Sequence, residues 1–215
     1  RYEVCIFKPD RIGDFVLAVG AIRNLTDRFG EENCVLVISP LVRELADLEF
    51  PDCQKVEVNP FGNPFSIQSI FHFLRCRWHL GGMEFERLVC LRHQRVRMQN
   101  LLLYVIRAKR SFGLANHRDY ELGIPWEFSF SNQDAYPSQC TQGTCLELEA
   151  HRIVLQRAMG IPLTPQETMP SFRRLEAKPE EYVLVSPFGS MPIRDYPEND
   201  LVSVLVDLFR SHSLP

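Results

Sequence analysis

A stretch near the amino terminus, residues 2–29, constrains the fold of this 215-residue chain more than any other. Residues 2–8 form an apolar run rich in β-branched and aromatic side chains, which predicts a buried strand that stops at Pro9. From Phe15 onward apolar side chains recur at helical spacing, and a charged turn separates the two segments. A strand, a charged turn and a helix are typical of the first βα unit of an open parallel sheet. In such sheets ligands bind at the carboxyl ends of the strands, where this turn lies.

The alternation of strand and helix continues along the chain. Further strands are predicted at residues 34–39, 54–58, 86–91 and 111–114, and helices at residues 41–48, 67–74 and 98–105. Four repeats of this alternation favour an α/β fold with a parallel sheet over an α+β arrangement. Residues 116–144 break the pattern and predict a long surface loop. Residues 146–159 then predict an amphipathic helix, with Gly160 as its C′ residue.

A proline-rich segment divides the chain. Residues 161–180 show no sustained periodicity, which is typical of an interdomain linker. We therefore expect an amino-terminal domain over residues 1–160 and a second domain that begins at residues 181–215. In that second part residues 182–186 predict a strand and residues 201–210 a helix. This βα unit has no sheet partner in the sequence, so it either joins the first sheet or opens an incomplete second domain.

Composition narrows the class of protein. Hydrophobic residues make up 45% and charged residues 24%, as in ordinary globular proteins, and a net charge of −3 gives no global signal for nucleic acid. No apolar run reaches ~18 residues, so the sequence predicts no membrane-spanning helix.

The seven irregularly spaced cysteines indicate a reduced, cytosolic protein. Cys140 and Cys145 are the only close pair, and without a second pair or a His cluster they leave us expecting no metal site.

Asp14 is the first candidate site residue. At the start of a helix its carboxylate predicts an N-cap, which is a structural role and the one that position alone favours. At the carboxyl end of a strand it is also a candidate general base, which would depend on its positioning.

A basic stretch is the second candidate. Residues 87–118 contain eight Lys and Arg residues, two His and no Asp or Glu. Arg92, Arg95 and Arg97 directly follow the fourth strand, at the sheet end where ligands bind. Guanidinium groups suit phosphate and carboxylate, which predicts an anion site, and a solvated basic face is an equally weighted alternative. The stretch lacks the interleaved aromatic residues that nucleic-acid binding uses, so we expect no nucleic-acid partner.

Two loops together resemble a known family. Residues 11–14, Arg-Ile-Gly-Asp, and the helix up to Arg23 resemble the opening of the ADP-heptose–lipopolysaccharide heptosyltransferases, glycosyltransferase family 9. Residues 182–190, Tyr-Val-Leu-Val-Ser-Pro-Phe-Gly-Ser, followed by residues 194–197, Arg-Asp-Tyr-Pro, resemble the family's strand, hydroxyl-bearing loop and Lys-x-Trp-Pro. On the residues alone, this second loop is a weak candidate for a phosphate cradle.

The resemblance implies a GT-B fold, in which two Rossmann-like domains face each other across a cleft. This chain would then hold the amino-terminal, acceptor-side domain and the beginning of the nucleotide-sugar domain. The implied reaction is metal-independent and inverting. It moves a heptose or similar sugar from a nucleotide-sugar such as ADP-heptose to a lipopolysaccharide-core-type acceptor, with no further cofactor. A truncated or diverged module that binds anionic glycans without catalysis is the alternative.

The resemblance also assigns roles to residues. Asp14 would be the general base, and Gly189, Ser190 and Arg194 would hold the donor diphosphate. An acidic, lipid-linked acceptor would suit the basic side chains, and the candidate acceptor ligands are Arg11, Arg92, Arg95 and Arg97. Because the family's acceptor is lipid-linked, we expect a cytoplasmic protein that works peripherally at the inner membrane.

Overall fold

The computed structural model describes residues 2–59, 67–92, 95, 97–114, 128–134 and 147–172. The chain divides into two compact units, Arg1–Arg173 and Arg174–Pro215, and every described residue belongs to the first. Several predicted features lie outside the described residues: Cys140, Cys145, the strand and helix expected beyond residue 181, and the donor-loop residues Gly189, Ser190 and Arg194.

Parallel strands form one sheet in the order β3-β2-β1-β4-β5-β6. The strands are β1 (Tyr2–Lys8), β2 (Cys34–Ile38), β3 (Gln54–Glu57), β4 (Glu84–Cys90), β5 (Arg107–Leu114) and β6 (Asn132–Asp134). The central strand β1 pairs with both β2 and β4, and the strand order reverses between β1 and β4. The predicted α/β fold with a parallel sheet is therefore confirmed. The loop predicted over residues 116–144 is wrong at β6, which pairs with β5 although its Asn-Gln-Asp sequence has no apolar alternation.

Helices cover both faces of the sheet. They are α1 (Ile12–Phe29), α2 (Arg43–Glu49), α3 (Ile67–Gly81), α4 (Arg97–Val105) and α5 (Glu147–Met159). Side chains alternate along a strand, so Val4 and Ile6 of β1 pack with α1 and α5, while Cys5 and Phe7 pack with α3 and α4. A strand that is buried on both faces reads as a continuous apolar run, which is why β1 stands out in the sequence.

The start of α1 differs from the expectation. Arg11 occupies the N-cap position, with an extended backbone and no side-chain hydrogen bond to the helix. Asp14 is the third residue of α1, so its predicted role as the N-cap is wrong. Its carboxylate lies in the first helical turn, where the helix dipole still favours a negative charge. At the end of α5, Gly160 has a φ of +71° and its N–H donates to the Gln156 carbonyl at 2.9 Å, as expected for a C′ glycine.

The first part of the predicted linker packs onto α1. A short 3₁₀ turn, Gln166–Thr168, contacts the helix, and Asn24 Nδ2 donates to the Glu167 carbonyl at 2.6 Å. A Cβ added at Gly20 would lie 2.2 Å from the Met169 carbonyl oxygen, so the two backbones approach closely. The compact unit thus extends well past residue 160. The linker itself stays a prediction.

The described cysteines are buried thiols. Burial raises the pKa of Cys34 to about 12 and that of Cys76 to about 11, so these thiols stay protonated and act as small apolar groups. Within the described part of the chain, no cluster of His, Cys, Asp and Glu could hold a metal ion. None of the described helices combines the length and hydropathy needed to span a bilayer.

Candidate active site

The candidate site lies where the strand order reverses, at the carboxyl ends of β1 and β4. Lys8 ends β1, Asp10 and Asp14 follow it, and Leu91 and Arg92 follow β4. Crevices at such reversal points are where open α/β sheets bind ligands. The structure brings two predicted site residues together here, because Arg92 Nη1 lies 3.4 Å from Asp14 Oδ2.

Arg92 bridges two carboxylates that differ in exposure. The same Nη1 atom also donates to Asp10 Oδ1. The Asp10 side chain is fully buried, whereas that of Asp14 is 45% exposed. Asp14 is therefore the carboxylate that can meet a substrate, and Asp10 is the one that anchors the guanidinium between them.

A buried lysine contacts Asp10 and so supports this arrangement. The Lys8 ammonium lies 2.9 Å from Asp10 Oδ2, and it donates to Glu147 Oε1 at 2.8 Å and to the Leu91 carbonyl at 3.1 Å. Its side chain has no exposed surface. Burying a charge is costly unless it is paired and hydrogen-bonded, so these contacts fix the geometry of Asp10 and, through Arg92, that of Asp14. The sequence showed Lys8 and Asp10 only as charges in the turn.

Helix α5 contributes a histidine that the sequence analysis missed. His151 Nε2 lies 3.4 Å from Lys8 Nζ, 3.2 Å from the Leu91 carbonyl oxygen and 3.5 Å from Glu147 Oε1. Burial lowers the pKa of His151; the Lys8 charge lowers it further, and the hydrogen bond to Glu147 opposes both. The sequence feature that could have indicated His151 is its i, i+4 spacing from Glu147, on a helix whose buried face is otherwise apolar.

Arg95 faces the interior of the domain. Its side chain is 2% exposed, its Nε donates to Asn100 Oδ1 at 3.0 Å, and its Nη1 donates to the Leu114 carbonyl at 2.9 Å. The guanidinium also lies over the Phe130 ring, 4.7 Å from the centroid. These contacts hold the segment after β4 against the end of β5. The role of Arg95 as an acceptor ligand stays a prediction, and its burial favours a structural role instead.

Two other predicted ligands lie on α1 and α4. Arg11 is exposed at the N-cap of α1, and Arg97 is the first residue of α4. Their roles as acceptor ligands also stay predictions.

A doubly wound parallel sheet of this order, with ionisable side chains at the reversal point, defines a Rossmann-like domain. No family model matches the sequence, and no curated protein matches it. Several solved structures, however, are similar to this chain. The chain is similar to the heptosyltransferase WaaC of E. coli with ADP, at a TM-score of 0.63 and 13% identity over 95% of this chain and 65% of that one.

Two further structures are similar. A glycosyl transferase family 9 protein of Veillonella parvula DSM 2008 matches at a TM-score of 0.57 and 11% identity, over 100% of this chain and 50% of that one. The ADP-heptose lps heptosyltransferase II of E. coli matches at a TM-score of 0.54 and 14% identity, over 81% of this chain and 47% of that one. The chain thus spans between about half and two thirds of their lengths. At these identities the likeness shows the shared fold, which confirms the predicted GT-B-type fold class.

Proposed function

We propose that this chain is the acceptor-side part of an inverting glycosyltransferase. It would transfer a heptose or similar sugar from a nucleotide-sugar to an anionic acceptor of the lipopolysaccharide-core type. The observation that carries the proposal is the half-exposed Asp14 carboxylate, held by Arg92 at the reversal point of a sheet shared with heptosyltransferases. The similar WaaC structure contains ADP by its name, and a second structure of E. coli WaaC, similar at a TM-score of 0.52 and 10% identity, contains ADP-2-deoxy-2-fluoro heptose. These names support a nucleotide-sugar donor.

In the proposed mechanism Asp14 removes the proton from the acceptor hydroxyl. The hydroxyl oxygen then attacks the anomeric carbon from the face opposite the diphosphate. A new carbon–oxygen bond forms while the bond to the diphosphate breaks, so the anomeric configuration inverts. A positioned general base typically contributes 10²–10⁴-fold. Arg92 holds the Asp14 carboxylate at the reversal point, while the buried Asp10 holds the same guanidinium.

The donor and acceptor contacts complete the proposal. Gly189, Ser190 and Arg194 would hold the diphosphate and stabilise the charge that develops on the leaving group, so that no metal ion is required. Arg11 is exposed at the N-cap of α1, three residues before Asp14, and suits an anionic group of the acceptor. A lipid-linked acceptor would place the reaction at the cytoplasmic face of the inner membrane.

The test is Asp14→Asn in the complete protein. The change keeps the size of the side chain and removes its basicity, so transfer from ADP-heptose to a phosphorylated core acceptor should fall about 10²–10⁴-fold. The dissociation constant of the donor, measured by calorimetry, should not change, since Asp14 lies on the acceptor side.

Asp27→Asn is the matched control. Asp27 is exposed near the other end of the same helix, so this variant should keep the wild-type rate. Near wild-type transfer by Asp14→Asn would show that the base is another group. Wild-type protein that binds the core oligosaccharide but neither binds nor uses a nucleotide-sugar would favour the non-catalytic glycan-binding module.

A further inference from the structure

Helix α3 presents an apolar face to solvent. Ile70, Phe71, Leu74 and Trp78 are all exposed, and Trp78 and Phe71 keep 85% and 68% of their surface in contact with water. At about 100° per residue, these four side chains fall within an arc of about 100° on the helix surface. Single exposed apolar residues are ordinary, but a contiguous patch of this kind marks an interaction surface.

Basic side chains border the patch. Exposed Arg77 lies on one side of the apolar arc and exposed Arg75 on the other, with exposed His79 next to Arg75. Helix α3 contains no Asp or Glu, although the chain as a whole has a net charge of −3. The opposite side of the helix, with Cys76 and Leu80, packs into the core of the domain. The outward face is therefore both apolar and positively charged.

We propose that this face of α3 docks the protein onto an anionic lipid bilayer. An amphipathic helix with Trp, Phe and Leu beside Arg lies in the plane of a membrane surface, with the apolar side chains at the boundary of headgroups and acyl chains. The arginines then contact lipid phosphates, and the negative surface potential adds to the attraction. Charge complementarity favours a bilayer over a second copy of the chain. A two-fold dimer on this face would bring the arginines of one protomer against those of its partner.

This inference does not depend on glycosyl transfer, because the observations concern only the surface of α3. Binding to vesicles is therefore measured separately from activity. A failure of Asp14→Asn to lower the rate would overturn the proposed base and leave the docking surface unaffected. A failure of the chain to bind vesicles would overturn the docking surface and leave the proposed base unaffected.

The experiment is co-sedimentation of the 215-residue chain with vesicles that contain phosphatidylglycerol, and with vesicles of pure phosphatidylcholine. We expect binding to the anionic vesicles that weakens as salt is added. Phe71→Ser/Trp78→Ser should weaken it by about tenfold or more, because two large apolar side chains no longer insert. Arg75→Gln/Arg77→Gln should weaken it by roughly thirtyfold at low salt.

Matched controls come from other exposed positions. Leu41→Ser/Leu48→Ser removes two exposed apolar side chains at α2 and the turn before it, and Arg28→Gln/Arg107→Gln removes two exposed charges outside α3. Both controls should bind like the wild type, and every variant should keep the wild-type melting temperature because the altered side chains are exposed.

Three results would overturn the proposal. The first is a wild-type chain that does not bind anionic vesicles. The second is a Phe71→Ser/Trp78→Ser variant that binds as well as the wild type. The third is a concentration-dependent dimer in sedimentation velocity that this variant abolishes, since the face would then serve a second copy.

Discussion

At the scale of single residues, Arg92 has an unusual position. One of its terminal nitrogens contacts a buried carboxylate on one side and a half-exposed carboxylate on the other. A guanidinium held in this way has limited freedom to follow a ligand. The sequence predicts Arg92 as an acceptor ligand, and the contacts suggest a second role: Arg92 is a positioning residue that sets the direction of the Asp14 carboxylate.

A double-mutant cycle separates the two roles of Arg92. If the guanidinium acts through Asp14, Arg92→Gln should lower kcat by about tenfold to a hundredfold, since small misplacements of a catalytic group have costs of that size. The variant Asp14→Asn/Arg92→Gln should then be no slower than Asp14→Asn alone, because the two changes remove one function. Both rates are measured at saturating donor and varied acceptor.

The KM for the acceptor separates a positioning role of Arg92 from direct binding of the acceptor. A positioning residue leaves it nearly unchanged in both backgrounds. If Arg92→Gln raises the KM for a phosphorylated acceptor equally with and without Asp14, the guanidinium binds the acceptor directly and the positioning role is wrong. Arg110→Gln, an exposed arginine of β5, is the control for a general loss of positive charge.

The sequence could predict only part of this site. Arg92 closely follows β4 and Asp14 lies at the start of the helix after β1, so the rule that ligands bind at the carboxyl ends of strands finds both. Glu147 and His151 were beyond reach because they meet Lys8 across 139 and 143 residues of chain. Their contribution depends on how α5 packs across the sheet, which no local pattern encodes. Without α5, Lys8 is only a charge at the end of an apolar run.

At the scale of elements, periodicity located most strands and helices because the sheet is buried on both faces. It failed where burial and polarity do not match. Strand β5 begins at Arg107 rather than at Ser111, since its first half is basic and largely exposed. The segment after α5 shows no periodicity, yet it packs against Gly20 through backbone atoms. Close backbone contacts leave no apolar pattern, and a single glycine is their only sequence mark.

Gly20→Ala tests this contact. The new Cβ would meet backbone oxygen at Met169, which cannot move aside like a side chain, so we expect a loss of about 1–3 kcal/mol in the free energy of unfolding. Alanine is otherwise the better helix former, so the clash must exceed a gain of up to about 1 kcal/mol. Urea denaturation of the 215-residue chain measures the change.

Gly81→Ala is the matched control for that experiment. Gly81 also lies in a helix, and a Cβ there would have only an ordinary contact with the Arg77 side chain at 3.9 Å. This variant should be as stable as the wild type or slightly more stable. Equal stability of Gly20→Ala and Gly81→Ala would show that the segment after α5 does not rest on α1.

At the scale of the molecule, the buried cluster joins parts of the domain that are far apart in sequence. Lys8 ends the central strand, Leu91 follows its neighbour β4, and Glu147 with His151 reaches in from α5. The same contacts that orient the candidate base also fasten α5 to the sheet. The geometry of the site and the stability of the fold therefore rest on shared side chains, and His151 is one of them.

The dependence of stability on pH follows from the surroundings of His151. Burial is the largest effect and lowers the pKa of His151 in the folded state; the hydrogen bond to Glu147 opposes it, and the Lys8 ammonium adds to the lowering. The unfolded chain takes up a proton on this imidazole below about pH 6.5, while the folded chain resists it. The unfolded state thus binds more protons, so this contribution to stability is complete above about pH 6.5 and is lost as the pH falls. One such proton gives a slope of at most about 1.4 kcal/mol per pH unit.

Urea unfolding between about pH 7 and pH 5 should show a steeper loss of stability for the wild type than for His151→Gln. Val154→Ala, which leaves a cavity on the same helix without removing a titratable group, should be less stable and keep the wild-type slope. Parallel curves for the wild type and His151→Gln would mean that the folded protein protonates this imidazole as readily as the unfolded chain does.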